Sequence, residues 1–341
     1  MRPVSEPRVV TLTMNSALDV TVDADTVRPT DKIRCRTPRY DAGGGGVNVA
    51  RFAHVLGADV TAIFTAGGFT GARIVDIVAA TGVSATPVPI LGATRESFTV
   101  NERATGEQYR FVLPGPFLTP DEQIQCLDAV RRAARGAHYV VASGSLPPGV
   151  PPDFYQRVAD ICAAQDAALI LDTSGGGLAH VTSGVHVLKP SLRELRECVG
   201  RTLDTAADQR AAARELVDRG VADAVVVSLG ADGALLVTAT ASETFPAVEV
   251  LGVSGVGAGD ALVAGIVVGL SKRWELPEAV RLGIAAAAAK LQTPGTSEFS
   301  ADEVEKIYAE VAGAPPATST VISGTPDLPS RTPRPVPHLR R

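Results

Sequence analysis

Val253-Ser254-Gly255-Val256-Gly257-Ala258-Gly259-Asp260 runs directly into Ala261-Leu262-Val263-Ala264-Gly265-Ile266-Val267-Val268-Gly269-Leu270, and the reading of this passage decides the fold. Alternating glycines let the backbone turn tightly and leave no Cβ in the way of a close ligand. The apolar run that follows predicts a buried helix, too short to cross a bilayer. A glycine loop opening a helix leaves N–H groups unpaired at the helix's positive end, a place for phosphate or for negative charge developing in a reaction. Asp260 stands next to those groups, where its carboxylate can take a proton from a hydroxyl. It can equally be a helix cap beside glycines that only turn the chain. Both readings stay open on this passage alone.

Outward from it, the chain alternates strand-like and helix-like segments. Strands are expected at Val9–Thr13, 60–64, 139–142, 168–171, 185–188 and 224–228, with helices at 47–56, 71–80 and 120–135 between them. Repeated β-α units of this kind predict an α/β fold with a doubly wound, mostly parallel sheet flanked by helices. Two segments fit badly. Residues 97–101 and 108–112 alternate with period two around Ala104-Thr105-Gly106, a hairpin signal, and residues 20–40 lack helical periodicity. They predict a small β insertion over one edge.

Two further clusters have chemical content. Asp41-Ala42-Gly43-Gly44-Gly45-Gly46-Val47-Asn48-Val49-Ala50-Arg51 is a second glycine loop opening a helix, with polar side chains in the first turns, so a polar ligand is expected there rather than a plain hinge. Val187-Leu188-Lys189-Pro190-Ser191-Leu192-Arg193-Glu194-Leu195 leaves a strand for a helix at the end of the sheet where doubly wound folds bind ligands. By itself it reads as an ordinary helix start, with Glu194 favourable to the helix dipole.

Composition narrows the field. The chain has 341 residues, 45 % hydrophobic, and a formal net charge of −5, with no long basic run in its body. That disfavours nucleic acid and membrane surfaces as partners. The four cysteines are scattered, without Cys-x-x-Cys, and no apolar signal core opens the chain, so a cytoplasmic protein with reduced thiols is expected. There is no P-loop, no Gly-x-Ser-x-Gly elbow and no metal-ligand spacing among the five histidines. From about Gly313 the chain is rich in Pro, Ser, Thr and Arg, and residues 313–341 are expected to be a disordered tail.

Taken together, the clusters resemble the PfkB (ribokinase-like) sugar kinase family, over about residues 9–311. Gly43 to Arg51 looks like its first signature and Gly257-Ala258-Gly259-Asp260 its second. Lys32-Ile33-Arg34-Cys35, Gly106-Glu107-Gln108-Tyr109-Arg110-Phe111, Ser143-Gly144-Ser145-Leu146-Pro147-Pro148-Gly149 and Val226-Val227-Ser228-Leu229-Gly230 carry the likeness further. The resemblance implies a ribokinase-like kinase domain at 8–312, with a β lid from about 17–42 and 95–114 that pairs two subunits in a homodimer. It implies Asp260 as catalytic base and the amides of Gly257, Ala258 and Gly259 as anion hole. Asp19, Gly44, Gly45, Asn48 and Ser143 match sugar positions, and Lys32 and Arg95 match cations near a sugar phosphate, Lys32 reaching across the dimer. Lys189, Ser191, Arg193, Ser228, Gly230, Gly233 and Ser254 match the nucleotide side, and Glu194 the residue that organises Mg²⁺. The implied partners are small molecules: ATP and a hexose phosphate, with Mg²⁺ and potassium as candidate ions.

Two positions depart from the family. Ser191 replaces the carboxamide of an Asn-x-x-Glu motif, which shortens its reach toward a metal-bound water. Gly255 replaces a Thr or Ser, removing a side-chain donor near the phosphates. Neither removes the carboxylate of Asp260. The expected reaction is ATP with fructose 6-phosphate giving ADP and fructose 1,6-bisphosphate. The alternatives are a kinase of fructose 1-phosphate or tagatose 6-phosphate, or a sugar-phosphate-binding regulator that has lost turnover.

Overall fold

The computed structural model describes residues 8–252, 254–312 and 318–321. In chain order the first half contains β1 (Val9–Thr13), β2 (Ala17–Ala24), β3 (Arg39–Gly43), α1 (Gly45–Val55), β4 (Val60–Ala66), α2 (Gly68–Ala80), β5 (Ser84–Pro89), β6 (Arg95–Glu102), β7 (Gln108–Val112), α3 (Pro120–Ala133), β8 (Tyr139–Ser143), α4 (Phe154–Ala164) and β9 (Ala168–Asp172). The second half contains α5 (Gly176–Ala179), β10 (Val185–Leu188), α6 (Leu192–Val199), α7 (Ala206–Asp218), β11 (Ala222–Ser228), β12 (Ala234–Thr238), β13 (Ala241–Phe245), α8 (Ala258–Ser271), α9 (Leu276–Leu291), α10 (Ala301–Ala312) and β14 (Thr318–Val321).

The main sheet runs β14-β13-β12-β11-β10-β9-β8-β1-β4-β5. From β5 to β11 every neighbouring pair is parallel, and β12, β13 and β14 extend the sheet antiparallel. The expected doubly wound sheet is therefore present, lengthened at one edge. Successive side chains of a strand point to opposite faces, so a sheet covered on both sides needs unbroken apolar strands. β11 follows this rule: Ala224 and Val226 enter the core beneath α1, α8 and α9, while Val225 and Val227 enter the core beneath α3, α4 and α7. Among the described residues no helix is long and apolar enough to cross a membrane.

Both badly fitting segments join one second sheet, ordered β3-β2-β6-β7. The hairpin expected around residue 105 is β6 and β7, with Phe98 opposite Phe111. Its partner was not foreseen: β2 pairs with β6 in parallel, Ala17 against Arg95 through Ala24 against Glu102. β14 pairs with β13 within the stretch expected to be disordered, Thr318 against Thr244 through Val321 against Ala241, so for these four residues the expectation is corrected. The rest of that stretch lies outside the described residues.

One close contact aims α8. A Cβ on Gly265 would sit 2.5 Å from Gly283 Cα, and one on Gly269 would sit 2.7 Å from Ala279 Cα. The small residues let α8 and α9 touch backbone to backbone, which fixes where the first turn of α8 ends up.

Candidate active site

The chain winds one way from β1 to β4 and β5, and the other way from β8 to β11. The switch in direction therefore lies between β1 and β8, and ligands of doubly wound sheets bind at the carboxyl ends of such strands. The loop 43–46 lies over that switch. A Cβ on Gly45 would fall 2.1 Å from Ser143 Oγ at the end of β8, so only glycine fits there. Gly44 caps α1 at φ 111°, and the Val47 N–H donates to Thr13 Oγ1 at 2.8 Å. This places Asn48, 4 % exposed, with its Nδ2 donating to Asp260 Oδ2 at 2.8 Å. The two glycine loops, more than two hundred residues apart in sequence, thus meet through one hydrogen bond.

Asp260 lies in the first turn of α8, whose cap Gly257 has φ 80°. Burial pushes its carboxyl up to about 7; the carboxylates of Asp172 and Asp19 add to the rise, while Asn48 and Lys189 oppose it. A carboxyl so placed is half ionised near neutral pH. Asp19, on β2 of the lid, is pushed up to about 6, by burial first and by Asp41 second, with Arg95 and Arg110 opposing. Arg95 donates to Leu113 O at 3.0 Å and to Asn15 O at 3.1 Å, which holds its guanidinium at the lid's edge.

Two cavities meet at the glycine loop 255–259 that opens α8. The smaller, about 260 Å³, is lined by Asp19, Gly44, Gly45, Asn48, Arg95, Ser143, Gly257 and Asp260, together with Arg110, Asp172 and Glu194. The lid contributes Asp19, Ser97, Thr99 and Arg110 to it. Two residues that line it carry buried polar atoms without a partner among the described residues: Asn48 Oδ1 and Arg95 Nε. They suit a ligand rich in hydroxyl groups and negative charge. The larger cavity, about 750 Å³, is lined by Ser228, Gly230, Gly233, Gly255, Ala258 and Gly259 with aliphatic side chains from Val248, Val250, Leu262 and Ile284. Its apolar walls suit a flat ring. The first-turn amides of α8 lie between the two.

Other residues singled out from the sequence sit elsewhere. Lys189 is buried and lines neither cavity; its Nζ pairs with Asp172 Oδ1 at 3.0 Å, behind the loop. Burial works against that ammonium charge, but Asp172, Glu194 and Asp260 outweigh it and hold its pKa above the ordinary lysine value. Ser191 caps α6: its Oγ accepts from the Glu194 N–H at 3.2 Å, and Glu194 Oε2 accepts from the Ser191 N–H at 2.8 Å. That capping box occupies one carboxylate oxygen of Glu194, and Oε1 lies 3.6 Å from Arg193 Nη2. Arg193 is exposed and pairs with Glu197 at 2.8 Å. Ser254 is buried, its Oγ accepting from the Val256 N–H at 3.3 Å. Lys32 is exposed in a loop of its own with Asp25, Arg28 and Asp31, outside both cavities of the single chain.

Asp172 is a site residue that sequence reasoning missed, as is Arg110. Asp172 ends β9 directly beside Ser143 in the sheet register. Its only signal was a carboxylate at the carboxyl end of a central strand, one residue beyond the expected strand. Among the described residues no group of three or more His, Cys, Asp or Glu forms a metal cage. The nearby carboxylates of Glu194 and Asp172 still suit Mg²⁺, a hard ion held by one or two carboxylates together with substrate phosphates.

A doubly wound α/β fold with two cavities converging on a helix N-terminus and a buried carboxylate defines a group-transfer enzyme. The pattern of the pfkB family carbohydrate kinases matches residues 9–303, and the chain belongs to that family. It is 60 % identical over 310 residues to the ATP-dependent 6-phosphofructokinase isozyme 2 of Mycobacterium tuberculosis H37Rv, covering 91 % of each chain. It is 40 % identical over 304 residues to the Escherichia coli enzyme of the same name, covering 89 % of this chain and 98 % of the other. The solved phosphofructokinase-2 from Escherichia coli in complex with fructose-6-phosphate superposes with a TM-score of 0.84 at 38 % identity, covering 90 % of this chain and 99 % of that one. The same enzyme solved in complex with potassium gives 0.86 at 39 %, with the same coverage.

Proposed function

We propose that this kinase transfers the γ-phosphoryl group of ATP to the 1-hydroxyl of fructose 6-phosphate, giving ADP and fructose 1,6-bisphosphate. The observation that carries the reading is the Asp260 carboxylate, buried where the two cavities meet and held by Asn48 at 2.8 Å. The sugar occupies the smaller cavity, its hydroxyls facing Asp19, Asn48, Ser143 and the amides of Gly44 and Gly45, with its phosphate toward Arg95. ATP lies with its base in the larger cavity along Ser228, Gly230 and Gly233, and with its phosphates over the loop.

In the reaction the sugar's hydroxyl oxygen bonds to the γ-phosphorus, the bond from that phosphorus to the β-phosphate oxygen breaks, and Asp260 accepts the hydroxyl proton. Phosphoryl transfer asks mainly for positioning and charge stabilisation, which the amides of Gly257 to Gly259 supply at the positive end of α8. Mg²⁺, when bound, neutralises phosphate charge, and Glu194 and Asp172 are the residues that would hold it. The lid's exposed Phe98 and Phe111, directly opposite each other across β6 and β7, supply an apolar face through which two copies pair, the arrangement in which Lys32 reaches a neighbour's site. The kinase domain is proposed to span 8–312.

A coupled assay with ATP and Mg²⁺ tests this over fructose 6-phosphate, fructose 1-phosphate, tagatose 6-phosphate and unphosphorylated sugars, with and without potassium. Fructose 6-phosphate is expected to give the highest kcat/KM. A higher value for an unphosphorylated sugar would overturn the substrate assignment.

A further inference from the structure

Lys290 is a buried cation that the reaction above does not use. It lies in the last turn of α9 with no exposed surface. Its Nζ donates to Thr293 Oγ1 at 2.7 Å and to Thr293 O at 3.4 Å, both neutral acceptors, and no carboxylate pairs with it among the described residues. An uncompensated buried ammonium is expensive to keep, and a neutral side chain of similar volume would fill the space at lower cost. Its surroundings say what the charge acts on. The position of a Cβ on Gly257 lies 3.4 Å from Lys290 Cε and 3.6 Å from the Phe52 ring, so the stem of this lysine and that ring form the floor under the loop. The Ser254 N–H donates to Leu291 O at 3.2 Å, tying the loop to the same turn of α9. Arg39 and Asp41 on β3, Arg51 on α1 and Asp260 on α8 face the ammonium electrostatically.

We propose that Lys290 is a positioning residue: a built-in positive charge behind the loop 254–257 that holds the loop and the first turn of α8 in shape to receive the transferring phosphoryl group. The inference rests on the kinase reading of this site. A charge beneath an anion hole strengthens it as negative charge develops above, and the two oxygens of Thr293, just past α9, that accept from the ammonium keep it from moving toward the ligand. Burial, with Arg39 and Arg51, lowers the ammonium's pKa to about 8, so the charge is lost under mildly alkaline conditions.

Lys290→Met and Lys290→Ala test the proposal. Loss of a direct oxyanion donor costs about 10²–10³-fold in kcat, and a charge one layer behind is expected to cost about 10-fold or more. Lys290→Met should lower kcat by that factor with the KM for the sugar phosphate little changed. Its melting temperature at pH 7 should equal or exceed wild type, because a costly charge has gone. The wild type should lose kcat along an alkaline limb near pH 8 that Lys290→Met lacks. In Lys290→Ala, ammonium or potassium at constant ionic strength should restore kcat by a larger factor than either changes wild type. Unchanged kcat in Lys290→Met would overturn the proposal, as would activity lost only in step with folded protein. Wild-type turnover is the separate control for the kinase reading. If wild type phosphorylates no sugar phosphate, calorimetric binding of ADP still decides: weaker binding to Lys290→Met supports the role, and equal binding overturns it.

Discussion

A carboxylate surrounded by apolar atoms and two other carboxylates prefers its proton, and that is the condition of Asp260. With its pKa raised from 3.8 to about 7, the folded chain holds a proton that the unfolded chain releases between those values. The stability this contributes is complete below pH 3.8 and is lost as pH rises through about 7. Asp260→Asn removes the titration, so calorimetry should find the variant melting above wild type at pH 8, with the gap closing toward pH 4. The same substitution should lower kcat by about 10²–10⁴-fold, the usual loss with a general base. Retention of kcat within a few-fold would leave Asp260 as a helix cap only. In wild type, kcat/KM should rise along an acid limb near pH 7 as the base ionises. Arg95→Ala should raise the KM for the sugar phosphate by about 10- to 150-fold, since a charge-assisted hydrogen bond contributes roughly 1.5–3 kcal/mol, and should leave the KM for ATP unchanged. No movement of either constant would mark Arg95 as a bracket for Leu113 and Asn15 alone.

At the scale of elements, the site depends on where α8 points, and that depends on its contact with α9. Gly265→Ala places a methyl carbon 2.5 Å from Gly283 Cα, against backbone that cannot rotate away. Overpacking of this kind costs about 1–3 kcal/mol. We expect a lower melting temperature and a lower kcat together, since α8 carries the amides and Asp260. Both glycine loops and most parallel strands were legible in the sequence because they are local: a turn, a periodicity, a cap. Asp172 was not, since one carboxylate has no spacing, and it acquires meaning only when β9 is laid beside β8. The Ser191 box was half legible. Ser191 and Glu194 stood three apart before an apolar residue, yet read as a weakened metal motif when they also close the start of α6. Lys290 stands in a run of alanines, and nothing in that run tells that its helix end is sealed beneath Gly257.

For the molecule as a whole, the doubly wound class followed from alternating β-α units, whereas the edge of the sheet did not. β12 and β13 form a short hairpin, and β14 joins them from a segment whose composition pointed to disorder. Truncation after Ala312 should leave kcat unchanged, because 318–321 pairs with an edge remote in the strand order from β1 and β8. It should also uncover the β13 edge, and uncovered edges invite self-association. Light scattering of the truncated chain should therefore rise with concentration where the full chain stays flat.

The pairing of β2 with β6 has a consequence in time. The two strands belong to separate excursions from the main sheet, with Asp23 and Asn101 joined at 2.9 Å across 78 positions of chain. On the ribosome β2 emerges long before its partner, so the second sheet cannot close until about residue 112 has been made. Amides of β2 and β6, in a small sheet whose β6 side chains are mostly part-exposed, should exchange hydrogen faster than those of β1 and β8, which are buried in the middle of the main sheet. Fructose 6-phosphate, bridging Asp19 to the body, should slow exchange in β2 and β6 selectively. The nascent chain thus carries every strand that encloses the sugar well before the scaffold strands β8 to β13 and the helix α8 that the enclosure has to meet.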